Sequence, residues 1–252
     1  MTQTSNPPVD LPIELIPATA HLWWARPADA RPSMHDLLDA GERGRLESFR
    51  RPIDSQRFLV GCALLRLIAG RLLGQPAFRV RICRDCPDCG KPHGKPRLAS
   101  GDSDLEFSVS HAGDRIVVAH TRGSALGVDV VSLDADIDVD RAAGLIAHPS
   151  EMEELGKMYG AQKRLALLAA WNRKEAILKA LGTGLRVSPD QIAVSGAPHS
   201  RQLVSWPKEL PVDQSLSLVD LDAGPGHIAC LAVAGPCRRI VTHEGRAFIN
   251  RI

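Results

Sequence analysis

Residues 107–131 constrain the fold more than any other stretch. FSVSH at 107–111 alternates, with Phe107 and Val109 on one face and Ser108 and Ser110 on the other. His111-Ala112-Gly113-Asp114 has hairpin-loop composition, and RIVVAH at 115–120 supplies the partner strand. After a turn at Gly123-Ser124, ALGVDVV at 125–131 reads as a third strand. Leu126, Val128 and Val130 face one way; Gly127, Asp129 and Val131 face the other. An acid in the middle of an otherwise apolar strand is costly unless something pairs with it. Asp129 therefore needs a partner.

Helical patterns flank these strands. Asp54 or Ser55 caps a predicted helix that runs to about Leu73 and stops at Gly74. Leu59, Cys62, Ala63, Leu67 and Ile68 share its apolar face, so Arg57 and Arg66 must find water or a ligand. A longer helix covers roughly 161–181 and ends at Gly182, and Pro149-Ser150 starts another. Strands are expected at His21–Ala25, at 78–82 and through 185–252, with a hairpin turn at Asp222–Gly226. The order fits an α/β (α+β) chain of two mixed halves joined near residue 122, with no convincing sequence repeat. Trp23, Trp24 and Trp171 read as core. The acids from Asp134 to Glu154 read as a solvated face. His120, His148, His199, His227 and His243 have no partner visible in the sequence. No apolar run approaches a membrane span, and the start, MTQTSNPPVD, predicts no signal peptide.

The net charge of +2 hides an uneven distribution. Residues 41–97 carry thirteen bases and five acids, while the segments on either side are mildly acidic. Eleven of those bases are Arg, the better bidentate partner for phosphate. A ligand with several phosphates fits such a block. Nucleic acid fits less well, because only ten aromatic residues are present to stack on bases.

On the long helix, WNRKEAILKALGTGL at 171–185 places Glu175 and Lys179 four apart on one face, with Lys174 one step round. Alone this is a surface ion pair. Together with Asp129 and the Ser110-His111 pair, it supplies two carboxylates, a Lys and a His. Those are the parts needed to hold magnesium and a diphosphate, since magnesium takes hard oxygen ligands from carboxylates, phosphates and water.

GKP at 94–96, FSVSHAGD at 107–114, GVD at 127–129 and WNRKEAILKALGTGL at 171–185 occur in this order. Together they resemble the Sfp-type 4′-phosphopantetheinyl transferases over about residues 40–195. The resemblance implies a pseudo-dimer of two similar α/β halves with the site in the cleft between them. Residues 1–122 would mainly bind coenzyme A, and 123–252 would carry magnesium and catalysis. The implied reaction moves the phosphopantetheine arm of coenzyme A to a serine of an apo acyl or peptidyl carrier protein. Adenosine 3′,5′-bisphosphate leaves. Asp129 and Glu175 match the magnesium ligands, Glu175 also being the expected base, and Lys179 would neutralise charge on the diphosphate. Ser110 and His111 match the pair on the coenzyme phosphates, and Gly94, Lys95 and Pro96 match the segment against the adenine. Arg57 matches a basic position near the 3′-phosphate, with Arg45, Arg51 and Lys174 as further candidates for the coenzyme. The family often has a second acid two residues after the strand Asp. Val131 stands there, so water is expected in its place. The surplus Arg is expected to steer an acidic carrier. Fatty-acid, polyketide and non-ribosomal-peptide carriers all fit. The implied enzyme is a cytoplasmic monomer that binds neither nucleic acid nor membrane.

Cys83, Cys86, Cys89 and His93 have the spacing C-x2-C-x2-C-x3-H. A structural zinc site before GKP is one reading. A turn-rich loop with free thiols is the other. A zinc-dependent nucleic-acid module would use this cluster and the basic block, but it leaves Asp129, Glu175 and Lys179 unexplained. A metal-dependent phosphohydrolase or nucleotidyltransferase would use the carboxylates, but the chain lacks a P-loop.

Overall fold

The computed structural model describes residues 16–86, 89–99, 104–194, 203–207 and 216–250. Strand β1 (Thr19–Ala25) is followed by helices α1 (Ala40–Glu47) and α2 (Pro52–Leu73). Two short strands, β2 (Ile82–Cys83) and β3 (Arg97–Leu98), precede β4 (Leu105–Ala112), β5 (Arg115–Arg122) and β6 (Leu126–Ser132). Helices α3 (Val139–Ile146), α4 (Pro149–Leu155) and α5 (Gly160–Leu181) come next. The chain continues through β7 (Ala193–Val194), β8 (Leu203–Ser205), β9 (Leu216–Leu221), β10 (His227–Ala234), β11 (Arg239–Glu244) and α6 (Gly245–Ile249). The architecture is mixed α/β.

The predicted strands of 107–131 are β4, β5 and β6. The β4–β5 hairpin is tight: Ala112 faces Arg115 across Gly113-Asp114, and Gly113 takes φ 53°, a left-handed conformation that glycine tolerates. Helix α2 starts before the expected cap because Pro52, with its fixed φ, occupies the first turn. It ends as expected on left-handed Gly74, and α5 ends on left-handed Gly182. The strand expected at 78–82 is instead a 3-10 turn at Ala77–Arg79, with a strand only at Ile82–Cys83. The Gln75 N–H donates to Gly70 O, which pulls the chain back against α2 after Pro76. The 185–252 segment is not all strand: it holds two further 3-10 turns and closes on α6.

Two sheets make the body of the protein. The first has the order β11-β1-β5-β4 and the second β6-β10-β9. Strand β11 does not stay with its sequence neighbours. It pairs in parallel with β1, Thr19 facing Arg239 and Trp24 facing Glu244. Alternation gives each sheet two apolar faces. Ala20, Leu22, Val117 and Ala119 of the first sheet pack on Val128, Val130, Leu231 and Val233 of the second. The outer face of the first sheet, with Trp23, Phe107, Ile116 and Val118, packs under Leu64, Leu65 and Ile68 of α2. The outer face of the second, with Cys230 and Ala232, packs under Ala176, Ile177 and Ala180 of α5. The layers therefore run helix, sheet, sheet, helix.

The two sheets also meet along one edge. Val128 and Val130 of β6 turn their N–H groups toward β4, where Ser108 Oγ accepts one at 3.0 Å and Ser110 Oγ the other at 3.3 Å. Two hydroxyls thus replace a backbone ladder and satisfy edge donors that burial would otherwise leave costly.

Arg66 finds acids rather than water or a ligand. It is 2% exposed and donates to Glu42 Oε1 at 2.7 Å and Asp39 Oδ2 at 2.9 Å, which ties α1 to α2. Trp23 is core as expected, and Trp24 packs at its edge. His21, His120 and His243 stack beside Trp23, with His120 wholly buried. Among the acids of 134–154, Glu151 departs from a solvated face and pairs with buried Lys174, while Asp140 pairs with Lys163 and stays exposed as expected.

Candidate active site at the junction of the two sheets

Asp129 sits in the middle of β6 and is 5% exposed. Three neighbours meet its carboxylate. The Lys179 ammonium donates to Oδ1 at 2.6 Å, and the Ser110 hydroxyl donates to the same oxygen at 2.8 Å. The Asn172 amide donates to Oδ2 at 2.9 Å. Lys179 also reaches Ser110 Oγ at 3.0 Å. The buried acid is thus paired and hydrogen-bonded on both oxygens, as burial of a charge requires.

Helix α5 delivers Asn172, Glu175 and Lys179 from one face, at spacings of three and four. It can approach this closely because residue 127 is glycine. A Cβ there would stand 2.1 Å from Ala176 O and 2.3 Å from Ala180 N. The glycine of GVD is therefore a seat for the helix.

Glu175 is half-buried and lies in the same group. Burial pushes its carboxyl above the usual glutamate range; the Lys179 charge opposes this and the Asp129 charge adds to it. Repulsion between two carboxylates on one cleft wall is relieved by a cation. The donor set, two hard-oxygen ligands with room for water and phosphate, suits magnesium. Val131 lines the same wall and offers no ligand atom.

The cleft has two lobes. The smaller, about 310 Å³, is lined by Ser110, His111, Asp129, Trp171, Glu175 and Lys179. Trp171 is thus half-buried at the cleft rather than in the core. The larger, about 670 Å³, is lined by Gly94, Lys95, Pro96, Cys86, Cys89 and His93 on one side and by Gly182, Thr183 and Arg186 on another. Arg45, Arg84, Glu175 and Lys179 border both lobes, so the two lobes adjoin.

The expected coenzyme residues divide between the cleft and other places. Gly94 is pinned by its N–H donating to Arg84 O at 2.6 Å. Lys95 donates to Glu106 at 2.5 Å and to Ala180 O at 3.1 Å, and burial pushes its ammonium below the usual range against the pull of Glu106. His111 is open to solvent at the cleft mouth. Desolvation by surrounding atoms, then the charges of Arg57, Lys179 and Arg45, push its pKa down. Arg45 stacks over Phe58 at 5.2 Å. Arg57 stands beside this group, paired with Asp54 and donating to Gly113 O, without lining either lobe. Arg51 is exposed on its own helix start and lines neither lobe.

Lys174 lies elsewhere. It is completely buried and donates to Ile146 O at 2.7 Å and Glu151 Oε2 at 2.6 Å. One residue from Glu175 on a helix is a turn of about 100°, enough to direct Lys174 toward α3 and α4 and away from the cleft.

Sequence reasoning assigned no role to Asn172 or Arg84. Arg84 has a buried Nε without a hydrogen-bond partner among the described residues, and it borders both lobes. Of the four expected zinc ligands, Cys86, Cys89 and His93 have ligand atoms within 4.8 Å of one another. Cys83 is outside the group, and its thiol donates to Asp85.

Comparison with known proteins gives matches on both halves. Residues 125–231 match the 4′-phosphopantetheinyl transferase superfamily, and residues 23–123 match the N-terminal domain of 4′-phosphopantetheinyl transferases. The 4′-phosphopantetheinyl transferase HetI of Nostoc sp. is 29% identical over 226 residues, 88% of this chain and 91% of that protein. A phosphopantetheinyl transferase of Thraustochytrium sp. is 29% identical over 67% of this chain and 63% of its own length. The L-aminoadipate-semialdehyde dehydrogenase-phosphopantetheinyl transferase of Xenopus laevis is 27% identical over 67% of this chain and 57% of its own length. With such a match on either side of residue 124, the chain resembles the 4′-phosphopantetheinyl transferase family along most of its length, and it is a transferase.

Proposed function

We propose that this enzyme transfers the 4′-phosphopantetheine arm of coenzyme A to a serine hydroxyl of an apo carrier protein. The observation that carries the proposal is the meeting of Ser110, Asp129, Asn172 and Lys179 in one hydrogen-bonded group that opens, with Glu175, into the cleft bordered by Gly94, Lys95 and Pro96.

The carrier serine Oγ attacks the phosphorus that bears the pantetheine arm, and its proton passes to Glu175, directly or through water. The bond from that phosphorus to the bridging oxygen breaks, and adenosine 3′,5′-bisphosphate leaves with the oxygen. Transfer at phosphorus asks a protein mainly for position and electrostatics. Lys179 supplies a fixed cation at the breaking diphosphate, and Ser110 holds both Lys179 and Asp129 in place. Asp129 and Glu175 would hold a magnesium ion, which when bound supplies further positive charge to the diphosphate. The Asn172 amide fixes the rotamer of Asp129. Without a bound cation, burial raises the Glu175 carboxyl above the usual glutamate range, the direction that favours its taking up the serine proton.

Coenzyme A fits the two lobes, with its diphosphate between Ser110, His111 and Lys179 and its adenine toward Gly94–Pro96. Arg57, Arg45 and Arg84 flank the 3′-phosphate end. Residues 1–122 would mainly bind coenzyme, and 123–252 would carry the magnesium ligands and the base, the two forming a pseudo-dimer in one chain. The surplus Arg of 41–97 would steer an acidic acyl or peptidyl carrier. The same reading has a cytoplasmic monomer with no nucleic-acid or membrane partner. No described helix is long and apolar enough to cross a membrane.

Incubation with coenzyme A, magnesium and an apo carrier protein tests the proposal. The carrier should gain the mass of one phosphopantetheine arm, and the gain should require its acceptor serine. No gain with fatty-acid, polyketide or peptidyl carriers would overturn it.

A further inference from the structure

The loop between β2 and β3 carries chemistry that the transfer reaction does not use. Cys86, Cys89 and His93 direct two sulfurs and an imidazole nitrogen to within 4.8 Å of one another, and Cys89 Sγ lies 3.0 Å from His93 Nε2. A tetrahedral zinc with bonds of about 2.0–2.3 Å spaces its ligands about 3.5–3.8 Å apart. The three atoms are therefore near that spacing before any adjustment.

The backbone holds them there. Gly90, directly after Cys89, takes φ 66° and donates its N–H to Cys86 O at 2.9 Å. Cys86 N–H and His93 N–H both donate to Lys91 O, at 2.9 and 2.8 Å. Gly94 N–H closes the loop on Arg84 O, and a Cβ at Gly94 would stand 2.9 Å from the carbonyl oxygens of Arg84 and Asp85. Two cysteines joined by the Gly90-to-Cys86 hydrogen bond, with a left-handed glycine after the second and a histidine four residues on, present ligands from a fixed frame.

We propose that Cys86, Cys89 and His93 bind one zinc ion, with the fourth position filled from outside these three. Thiolate and imidazole are soft and borderline ligands that select zinc over magnesium. Asp129 and Glu175 offer only hard oxygen, so the two sites on one cleft take different metals. The role of the zinc is structural. It ties Cys86 and Cys89 to His93, directly before Gly94, Lys95 and Pro96 on the wall of the larger lobe. Binding requires deprotonated thiols, so each ion bound releases protons to solvent.

The test measures metal directly. Protein produced with zinc in the medium and dialysed against metal-free buffer should hold about one zinc per chain. Cys89→Ser and His93→Ala, both in an exposed loop, should each lower that content at least tenfold. Stripped wild-type protein titrated with cobalt(II) should develop the near-ultraviolet absorption of thiolate bound to cobalt, and zinc should abolish it. The cobalt spectrum uses wild-type protein and stands even if a variant misfolds. Zinc far below one per chain without the cobalt band would overturn the site. So would undiminished zinc in a folded Cys89→Ser protein, or iron with acid-labile sulfide in place of zinc. Metal content is read without coenzyme or carrier, so the outcome is independent of the transfer reaction.

Discussion

The Lys179 ammonium lies 2.6 Å from Oδ1 of Asp129 and joins helix α5 to strand β6. Through Ser110 the same nitrogen also reaches β4 of the other sheet. Lys179→Ala should lower turnover on the order of 10²-fold, as loss of one preorganised donor typically does. The check is steady-state kinetics with coenzyme A and an apo carrier. A raised KM with unchanged kcat would place Lys179 in ground-state binding instead.

Glu175→Gln should abolish transfer and leave a folded protein. Burial raises the wild-type carboxyl above its usual 4.5. Activity needs the carboxylate, so turnover should fall on acidification as Glu175 takes up a proton. The sign for stability is the reverse of the usual acid. The raised pKa means that the folded state prefers the proton, so the charged form costs stability at neutral pH and the cost disappears below 4.5. The Gln variant should therefore melt higher than wild type at pH 7, with the gap closing at pH 4. Turnover and melting across this range check both halves.

Gly127→Ala should damage the site from a distance. The added Cβ meets the backbone of Ala176 and Ala180, which cannot rotate away. Helix α5 must move outward and carry Glu175 and Lys179 from Asp129. Overpacking of this kind costs ~1–3 kcal/mol. Turnover measured well below the melting temperature should fall more than the loss of folded protein accounts for. Wild-type turnover in a folded variant would show that the helix position is not critical.

Arg84→Ala should weaken coenzyme binding and leave the fold intact. Its Nε is buried without a hydrogen-bond partner among the described residues and lies at the border of both lobes. Hydrogen bonds to charged groups are worth ~1.5–3 kcal/mol, so KM for coenzyme A should rise about tenfold or more. The change should shrink with dephospho-coenzyme A if the partner is the 3′-phosphate. An unchanged KM for coenzyme A would remove Arg84 from the site.

Arg66→Met should be strongly destabilising, by ~3–5 kcal/mol, because it leaves a buried acid without its partner. Glu42 is the more buried of the two acids. Adding Glu42→Leu should therefore restore much of the loss. Urea unfolding midpoints of the two variants provide the comparison.

The strands of 107–131 were legible because alternation survives on a sheet with one face toward each core. Both long helices were legible from their terminal glycines. The pairing of Asp129 was signalled by its cost, and the structure gives that acid three partners. Asn172 was hidden because a neutral amide adds no charge and no periodicity. Arg84 was hidden among eleven arginines of one block, since only burial distinguishes it. Lys174 looked like part of the cluster because adjacency in sequence is not adjacency on a helix. The hydroxyls of Ser108 and Ser110 appeared as the polar side of a strand, whereas they close a seam between two sheets. The seat that Gly127 provides needs a helix some fifty residues away, which no local pattern encodes.

The parallel pairing of β11 with β1 makes β1 wait for a strand made far later in synthesis. More than two hundred residues separate them, so at ~5–20 residues per second β1 has one unfilled edge for roughly ten to forty seconds of synthesis. The β4–β5 hairpin can cover the other edge much earlier. In that interval His21, Leu22, Trp23 and Trp24 border an open row of backbone donors and acceptors, the kind of edge on which nascent chains aggregate. That edge stays open until a short strand more than two hundred residues downstream is made, and loss of that strand would leave it open permanently.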